Sequence, residues 1–530
     1  MAQKSLNITI IAHQGYCRHN DKEALWHPQS TAVFTALSHS LLPLLRMFRR
    51  LEEDRIPFSL GMVFSPTLCA LLADPLVKQQ YADWLDKIVL LGQRELSSLP
   101  LKSPAFALAE TQLALAEQNR REFTEDYRGD ILSGFNRFIQ SGHIEALATC
   151  ATYAFLPHYA DMEEACNAQI EAGLRSHKHF FSLAPEGFWL PYLGYTPGIE
   201  KILKAYGLSY TILETHGLLF AHPLPEKGIF APARCGNSLA VFARDGAALE
   251  GRRSIEDFMR NPAYRNQNRD IVFEKDAEAL AGFIGQGGAR IPSGYKYWAN
   301  GESDLPRFYN PGAAAKQVKQ DAAEFWEEKK KRLEEAGQCF PDAPLSLVCT
   351  LNARTLGELW HEGIPWLEEV FRKGAEESAV SFTTAEKILQ SQSNLQKVTP
   401  CVSASCGAGY GENLLDNTNS WLIRYARKAC ERMVSLANRF SGGRGPQARM
   451  LNLAAKEVLL AQASDWPKML HAWRSPEYAE ERFKESIGAF TTVYDSLGAK
   501  VISTEWLTNF EKKRPLFPWL NYLIFCKKQL

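Results

Sequence analysis

Five short runs of apolar residues each stop abruptly at a polar or aromatic side chain, and this pattern constrains the fold more than any other feature of the chain. Asn7–Ala12 ends at His13, Phe58–Phe64 at Ser65-Pro66, Leu208–Leu213 at Glu214-Thr215-His216, and Leu345–Leu351 at Asn352. A further run, Phe180–Ala184, leads into Pro185-Glu186-Gly187-Phe188-Trp189. Runs of this length, rich in β-branched residues, have the pattern of parallel strands buried on both faces. The stretches between them, among them Thr31–Glu53 and Asp161–His177, carry helical periodicity. Strand–helix alternation sustained in this way predicts an α/β fold. The polar residues at the strand ends select a barrel, in which several strand ends build one site together. His13, Trp189, His216 and Asn352 are then expected to converge at its carboxyl face. A dinucleotide-binding sheet needs a glycine-rich turn after the first strand, and His13-Gln14-Gly15-Tyr16 is not one.

Two regions depart from the alternation. Residues 225–312 are rich in Gly, Pro, Arg and Asn, with strand-like pieces at Gly228–Pro232 and Leu239–Phe242, and read as a long excursion that shapes a cleft. From about Ser403 onward the apolar period becomes helical. Trp421, Leu422, Tyr425, Ala429, Met433, Leu436 and Phe440 share one face, and Met450–Gln462 and Tyr478–Leu497 repeat the pattern. The expected organisation is a barrel over residues 1–400, with its excursion, and a helical bundle over 401–530 that packs on the barrel's flank.

Sixty basic residues balance sixty acidic ones, so neither a nucleic-acid footprint nor attraction to an anionic membrane is indicated. No apolar run approaches a membrane span, and Ile8–Ala12 is too short for a signal-peptide core. The eleven cysteines form no Cys-x-x-Cys pair, which argues against a zinc ribbon or redox motif and for buried thiols in the cytoplasm. No metal or other cofactor is expected.

Several segments, taken together, resemble glycoside hydrolase family 57, in particular its α-glucan branching enzymes. Ala12-His13-Gln14-Gly15-Tyr16-Cys17-Arg18-His19 is similar to the family's N-terminal histidine motif, and Glu145–Pro157 to its second motif. Gly187–Gly198 resembles the nucleophile motif, Thr215-His216-Gly217 a later active-site turn, and Asn352–Leu367 the acid/base motif. Phe242–Asp245, Asn261–Arg265, Arg269-Asp270 and Ser293–Tyr297 fall in the family's order. So do Trp421, Arg424, Glu431–Met433, Ser464-Asp465-Trp466 and Phe517-Pro518. The resemblance implies an incomplete (β/α)7 barrel with a helical C-terminal domain. It also implies a retaining reaction on α-1,4-glucans, which uses two carboxyl groups about 5–5.5 Å apart.

Both carboxylates are missing. Tyr192 stands at the nucleophile position and Asn352 at the acid/base position. Ile11, Gly15, Arg354, Glu358, Cys406 and Ser486 replace other residues of the family pattern. An amide is neither acid nor base near neutral pH, and a phenol is a poor nucleophile unless a base activates it. Three readings follow. In the first, the protein is a pseudoenzyme of carbohydrate or glycogen metabolism that binds an α-glucan or oligosaccharide through His13, Trp189, His216, Asp245, Trp360 and Asp465. In the second, transfer or hydrolysis continues with relocated groups, one of Glu186, Glu358 and Glu362 serving Tyr192 as its base, with Glu186 foremost. In the third, the cleft has closed, and the chain is a structural or partner-binding protein.

Overall fold

The computed structural model describes residues 3–20, 22, 25, 27–246, 253–301, 306–377, 379–392, 394–499 and 503–528. Its strands are β1 (Lys4–Ala12), β2 (Leu60–Phe64), β3 (Ile144–Thr149), β4 (Gly187–Trp189), β5 (Tyr210–Leu213), β6 (Ala233–Arg234), β7 (Ala240–Ala243), β8 (Leu345–Asn352) and β9 (Ser381–Phe382). They form one sheet, in which β7, β5, β4, β3, β2, β1 and β8 are parallel neighbours in that order. A parallel bridge between Arg244 and Val348 brings the end of β7 against β8, and the Asp245 N–H donates to the Val348 carbonyl at 2.7 Å. The curled sheet is thus a (β/α)7 barrel. β6 adds an antiparallel edge to β7, and β9 a short parallel contact to β1.

The strands lack polar alternation because both of their faces are buried. Ile11, Val63, Leu147, Trp189, Tyr210, Ile212, Ala240, Phe242 and Val348 fill the barrel interior. Their neighbours Ile10, Met62, Ala148, Phe188, Leu213, Val241 and Leu347 pack outward against the helices. A short helix, Ala385–Gln390, plugs the amino end through Ala385, Ile388 and Leu389. There Glu145, at the start of β3, accepts hydrogen bonds from the Tyr210 hydroxyl and the Glu386 N–H. Burial pushes its carboxyl up to about 7.

Two expected strand positions need correction. Phe180 and Phe181 are the last turn of the helix Glu163–Phe181, and the strand behind them is the three-residue β4. Glu186 therefore lies at the amino end of β4, exposed and accepting from Ser209 Oγ, and not at the carboxyl end with Tyr192. The second correction concerns Leu239–Phe242, assigned above to the excursion. This piece is β7, a full member of the barrel. The excursion itself begins after Arg244 and returns at the 29-residue helix Pro311–Cys339.

The C-terminal helices Ser420–Arg439, Gly445–Ala461, Asp465–His471, Pro476–Ala499 and Thr504–Lys513 bury Cys430, Met433, Ala454, Val458, Phe483 and Val493 among themselves. They dock on the barrel through buried polar contacts with the segment that follows β3. Thr152 Oγ1 donates to the Leu459 carbonyl, Gln169 Nε2 to Gln462 Oε1 at 3.0 Å, and the Phe155 N–H to Ser464 Oγ at 2.8 Å. This docking carries the start of the helix Asp465–His471 to the barrel mouth. All eleven cysteines are free thiols, and among the described residues no helix is long and apolar enough to cross a membrane.

Candidate functional site at the barrel mouth

The carboxyl ends of β1, β3 and β4 each deliver an aromatic or imidazole ring to one cluster, and the helical domain closes it. His13 follows β1 and stacks on Tyr153 with ring centres 3.8 Å apart and planes 10° from parallel. Tyr153 follows β3. Its hydroxyl accepts from Trp189 Nε1 at 3.0 Å, which ties the end of β3 to the end of β4. Tyr192 presents its ring edge-on to Tyr153 at 5.5 Å. From the other side Asp465 takes the His13 Nε2 proton donor at 3.0 Å, and the Lys468 ammonium lies 5.0 Å from the centre of the Tyr192 ring. The Asp465–His13 bond joins residues 452 apart in sequence, one from the first strand and one from the helical domain.

Tyr192 is held in an unusual backbone conformation. Its φ of 55° and ψ of 24° are left-handed, which for a residue with a bulky side chain costs on the order of 1–3 kcal/mol unless neighbours enforce it. Ser405 enforces it: its N–H and Oγ both donate to the Tyr192 carbonyl, at 2.6 and 2.9 Å. Reciprocal backbone bonds between Tyr195 and Ser403 anchor the same loop. The Tyr192 ring packs with Phe155, Ala404, Leu414 and Cys406. Its hydroxyl makes no hydrogen bond to any described residue. Burial, reinforced by the Asp465 carboxylate, pushes this phenol well above the ordinary tyrosine range. The Tyr192 phenol is therefore neutral and has no base in hydrogen-bond contact among the described residues.

Asn352 ends β8 exposed to solvent, and its side chain caps nothing. Beyond it Arg354 is 59% exposed and reaches Glu358 at only 3.7 Å. Glu358 is no free solvated carboxylate. It accepts from Thr35 Oγ1 at 3.0 Å, and burial raises its carboxyl above the usual range. Lys468 is solvent-exposed at the mouth of the cluster and makes no hydrogen bond or ion pair with a described residue. Burial of its surroundings, with the nearby Arg354 and Arg474, depresses its ammonium below the ordinary lysine range against the pull of Asp465.

His13, Trp189, Tyr192 and Asp465 meet in one cluster, and His216 stands apart. It follows β5, bonds to the Gly409 carbonyl through Nε2 at 3.0 Å and meets the edge of Tyr410 at 5.3 Å, so it anchors the 401–411 loop that also holds Tyr192. Asp245 and Trp360 do not line a cleft. The Asp245 carboxyl is 1% exposed and pairs with Lys329, at 2.7 Å, and with Arg332. Burial works to raise its pKa, but the two cations hold it below the ordinary carboxylate range. Trp360 is 1% exposed and packs on Trp366 and Tyr264 in the core beneath the excursion. Conversely, Tyr153 and Lys468 belong to the cluster and carried no local signal. Tyr153 lay inside the Glu145–Pro157 segment as one aromatic among several.

Residues 105–250 match the model of glycosyl hydrolase family 57, and residues 425–525 match the C-terminal domain of 1,4-alpha-glucan branching enzyme. The 1,4-alpha-glucan branching enzyme TK1436 of Thermococcus kodakarensis is 24% identical over 513 residues, covering 90% of this chain and 71% of that protein. Its crystal structure in complex with glucose superposes with a TM-score of 0.86 at 22% identity, covering 99% of this chain and 97% of that one. The alpha-amylase AmyC of Thermotoga maritima superposes with a TM-score of 0.91 at 26% identity over 100% of both chains.

Proposed function

We propose, from the premise that this chain is a glycoside hydrolase family 57 homologue with the C-terminal domain of the family's branching enzymes, that it binds an α-glucan or related saccharide without cleaving or transferring it. One observation carries the reading. At the position of the family nucleophile stands Tyr192, a neutral phenol whose hydroxyl touches no base. Covalent glycosyl transfer needs an attacking anion on one side of the anomeric carbon and a proton donor on the other. Tyr192 supplies no anion, and the Asn352 amide supplies no proton. Glu186, the carboxylate that would have to replace them, sits at the opposite end of β4.

What remains suits recognition. The His13 and Tyr192 rings, both half-buried at the mouth, are of the kind that pack against the apolar faces of a sugar, and the buried Tyr153 and Trp189 hold them in place from behind. Asp465, Asn352 and Lys468 add polar groups at the wall where hydroxyls would lie. His13 Nδ1 has no partner among the described residues, so one ring nitrogen is free of any protein group. A binding site of this kind suits a protein that senses or retains a polysaccharide.

The test is direct binding of maltoheptaose to the full-length protein by calorimetry and thermal shift. A site of 1 mM affinity probed at about 10 mM adds roughly 1.4 kcal/mol of stability. Saturable binding, lost when Tyr153 is changed to Ala, is the expected result. Absence of any shift would mean that Tyr192 fills the sugar subsite and that the binding reading is wrong.

A further inference from the structure

Among the described residues the most exposed aromatic side chain is Trp473, at 75%. Neither packing nor backbone preference accounts for a tryptophan there. No ring or cation of another described residue lies against its indole. The residue closes the helix Asp465–His471: its N–H donates to the Leu470 carbonyl at 3.2 Å, and the Arg474 N–H to the Met469 carbonyl at 3.0 Å. This pair of bonds marks a helix end whose turning residue is left-handed and usually glycine. Trp473 takes that position with a φ of 50°, and Ser475 follows with a φ of 49°. A glycine would make the turn without strain and leave no apolar ring in water. The turn is nonetheless fastened to the barrel. Ser475 Oγ accepts from Gln29 Nε2 at 3.3 Å, and Tyr478 stacks on His27 with ring centres 4.7 Å apart. Both partners belong to the segment that leaves the carboxyl end of β1, so Trp473 stands on the side of the barrel mouth.

The ring borders an open groove of about 500 Å³, within the range of small-ligand sites, roughly 300–1,000 Å³. Pro476 and the first turns of the helix Pro476–Ala499 form its floor. On that floor Glu477 and Glu481, neighbours one helical turn apart, are exposed, and neither makes an ion pair with a described residue. Glu480 is paired with Lys484 at 2.7 Å, and Glu485 with Lys513 and Arg514. The groove therefore offers one flat apolar ring beside two free acceptors. At about 1.5 Å of rise per residue, the helix that begins with Asp465 in the mouth carries Trp473 about 12 Å from it.

We propose that Trp473 is a second saccharide contact, outside the barrel mouth, which suits the site to a long α-glucan chain over a short oligosaccharide. One sugar ring lies on the indole face, and Glu477 and Glu481 accept from its hydroxyls. The proposal rests on the saccharide-binding reading above and adds a contact to it. An indole presents a large apolar face to the C–H side of a sugar, and an ionised carboxylate accepts bonds about twice as strong as a neutral acceptor does. A basic segment would also meet the carboxylates, but Lys484 at the same rim, 63% exposed, repels it and donates readily to a neutral hydroxyl. Two contacts on one chain make the second binding event intramolecular, so the gain belongs only to chains long enough to reach both.

The experiment compares full-length wild type, Trp473→Ala and Trp473→Phe on amylose by affinity electrophoresis and on maltotriose by calorimetry. Trp473→Ala should weaken amylose binding five- to tenfold and change maltotriose binding less than twofold, which also shows that the variant is folded. Trp473→Phe should keep most of the amylose affinity, and Glu477→Gln combined with Glu481→Gln should lower it. Amylose binding untouched in Trp473→Ala would overturn the inference and leave the mouth site standing. Equal losses for amylose and maltotriose would overturn it too, by making Trp473 a prop of the mouth. Hexalysine bound by wild type more tightly than amylose, and lost in Trp473→Ala, would overturn it in favour of a basic partner. Failure of wild type to bind either saccharide would overturn the binding reading itself, and this inference with it.

Discussion

Glu145 makes the base of the barrel sensitive to pH, and its replacement by Gln should reverse the sign of a stability change within a narrow range. The carboxyl is buried beneath the plug helix Ala385–Gln390, where Tyr210 and the Glu386 N–H both donate to it. Its pKa rises from 4.5 to about 7, with burial as the largest cause. Between these values the folded protein holds a proton that the unfolded chain has released. Stability therefore falls as pH rises through that window and levels off above it. A shift of this size corresponds to about 3 kcal/mol. Glu145→Gln removes the ionisation but also one acceptor, because the Gln amide nitrogen cannot accept from either donor. That loss is worth about 1–2 kcal/mol. The variant should accordingly be less stable than wild type by up to about 1 kcal/mol at pH 5 and more stable by about 1–2 kcal/mol at pH 8. With roughly 2.1 cal/mol/K of unfolding entropy per residue, 1 kcal/mol moves the midpoint of a chain this long by about 1 °C. Paired thermal melts from pH 4.5 to 8.5 should show the two curves crossing between about pH 5 and pH 6. Parallel curves would refute the assignment of a buried, proton-holding Glu145.

Two further outcomes follow from other parts of the fold. Arg514 is 2% exposed and pairs with Glu457, whose side chain is fully buried, while its Nη1 also donates to Ser486 Oγ at 2.7 Å. Arg514→Met leaves that carboxylate buried and unpaired, so it should cost about 3–5 kcal/mol, seen as early melting and proteolysis of the helices after residue 440. At the barrel mouth, Tyr192→Glu with Asn352→Asp restores the carboxyl pair. Each single change should give no hydrolysis and the double variant a weak but measurable release of reducing ends from amylose, since the two groups act as a unit. Activity in either single variant would contradict the pairing argument.

The strands were legible where they were long and apolar on both faces. β1, β2, β5 and β8 therefore coincide with the runs that stop at His13, Ser65, Glu214 and Asn352. β4 has only three residues, too few to outweigh the Phe180–Phe181 helix end beside it, and this misplaced Glu186. β7 was hidden by the Gly and Pro residues around it, and β3 carries the polar Glu145 within its run. The site was readable where strand ends build it. His13, Trp189 and Tyr192 came from that pattern and from the family resemblance. Its other half comes from docking of the helical domain. No local period in Ser464-Asp465-Trp466-Pro467-Lys468 tells that Asp465 will meet a histidine from the first strand. Trp360 and Asp245 illustrate the converse. Both follow strand ends, but the first turns into the core under the excursion and the second toward the cations of the helix Pro311–Cys339.

The central claim is that the barrel mouth keeps a saccharide site and has lost its chemistry. The most direct measurement incubates the purified full-length protein with amylose and counts new α-1,6 branch points and new reducing ends against a no-protein control. The account predicts neither above background, under conditions in which calorimetry shows the saccharide bound. Branches or reducing ends formed at a turnover of order 1–1000 per second, as in ordinary enzymes, would contradict it.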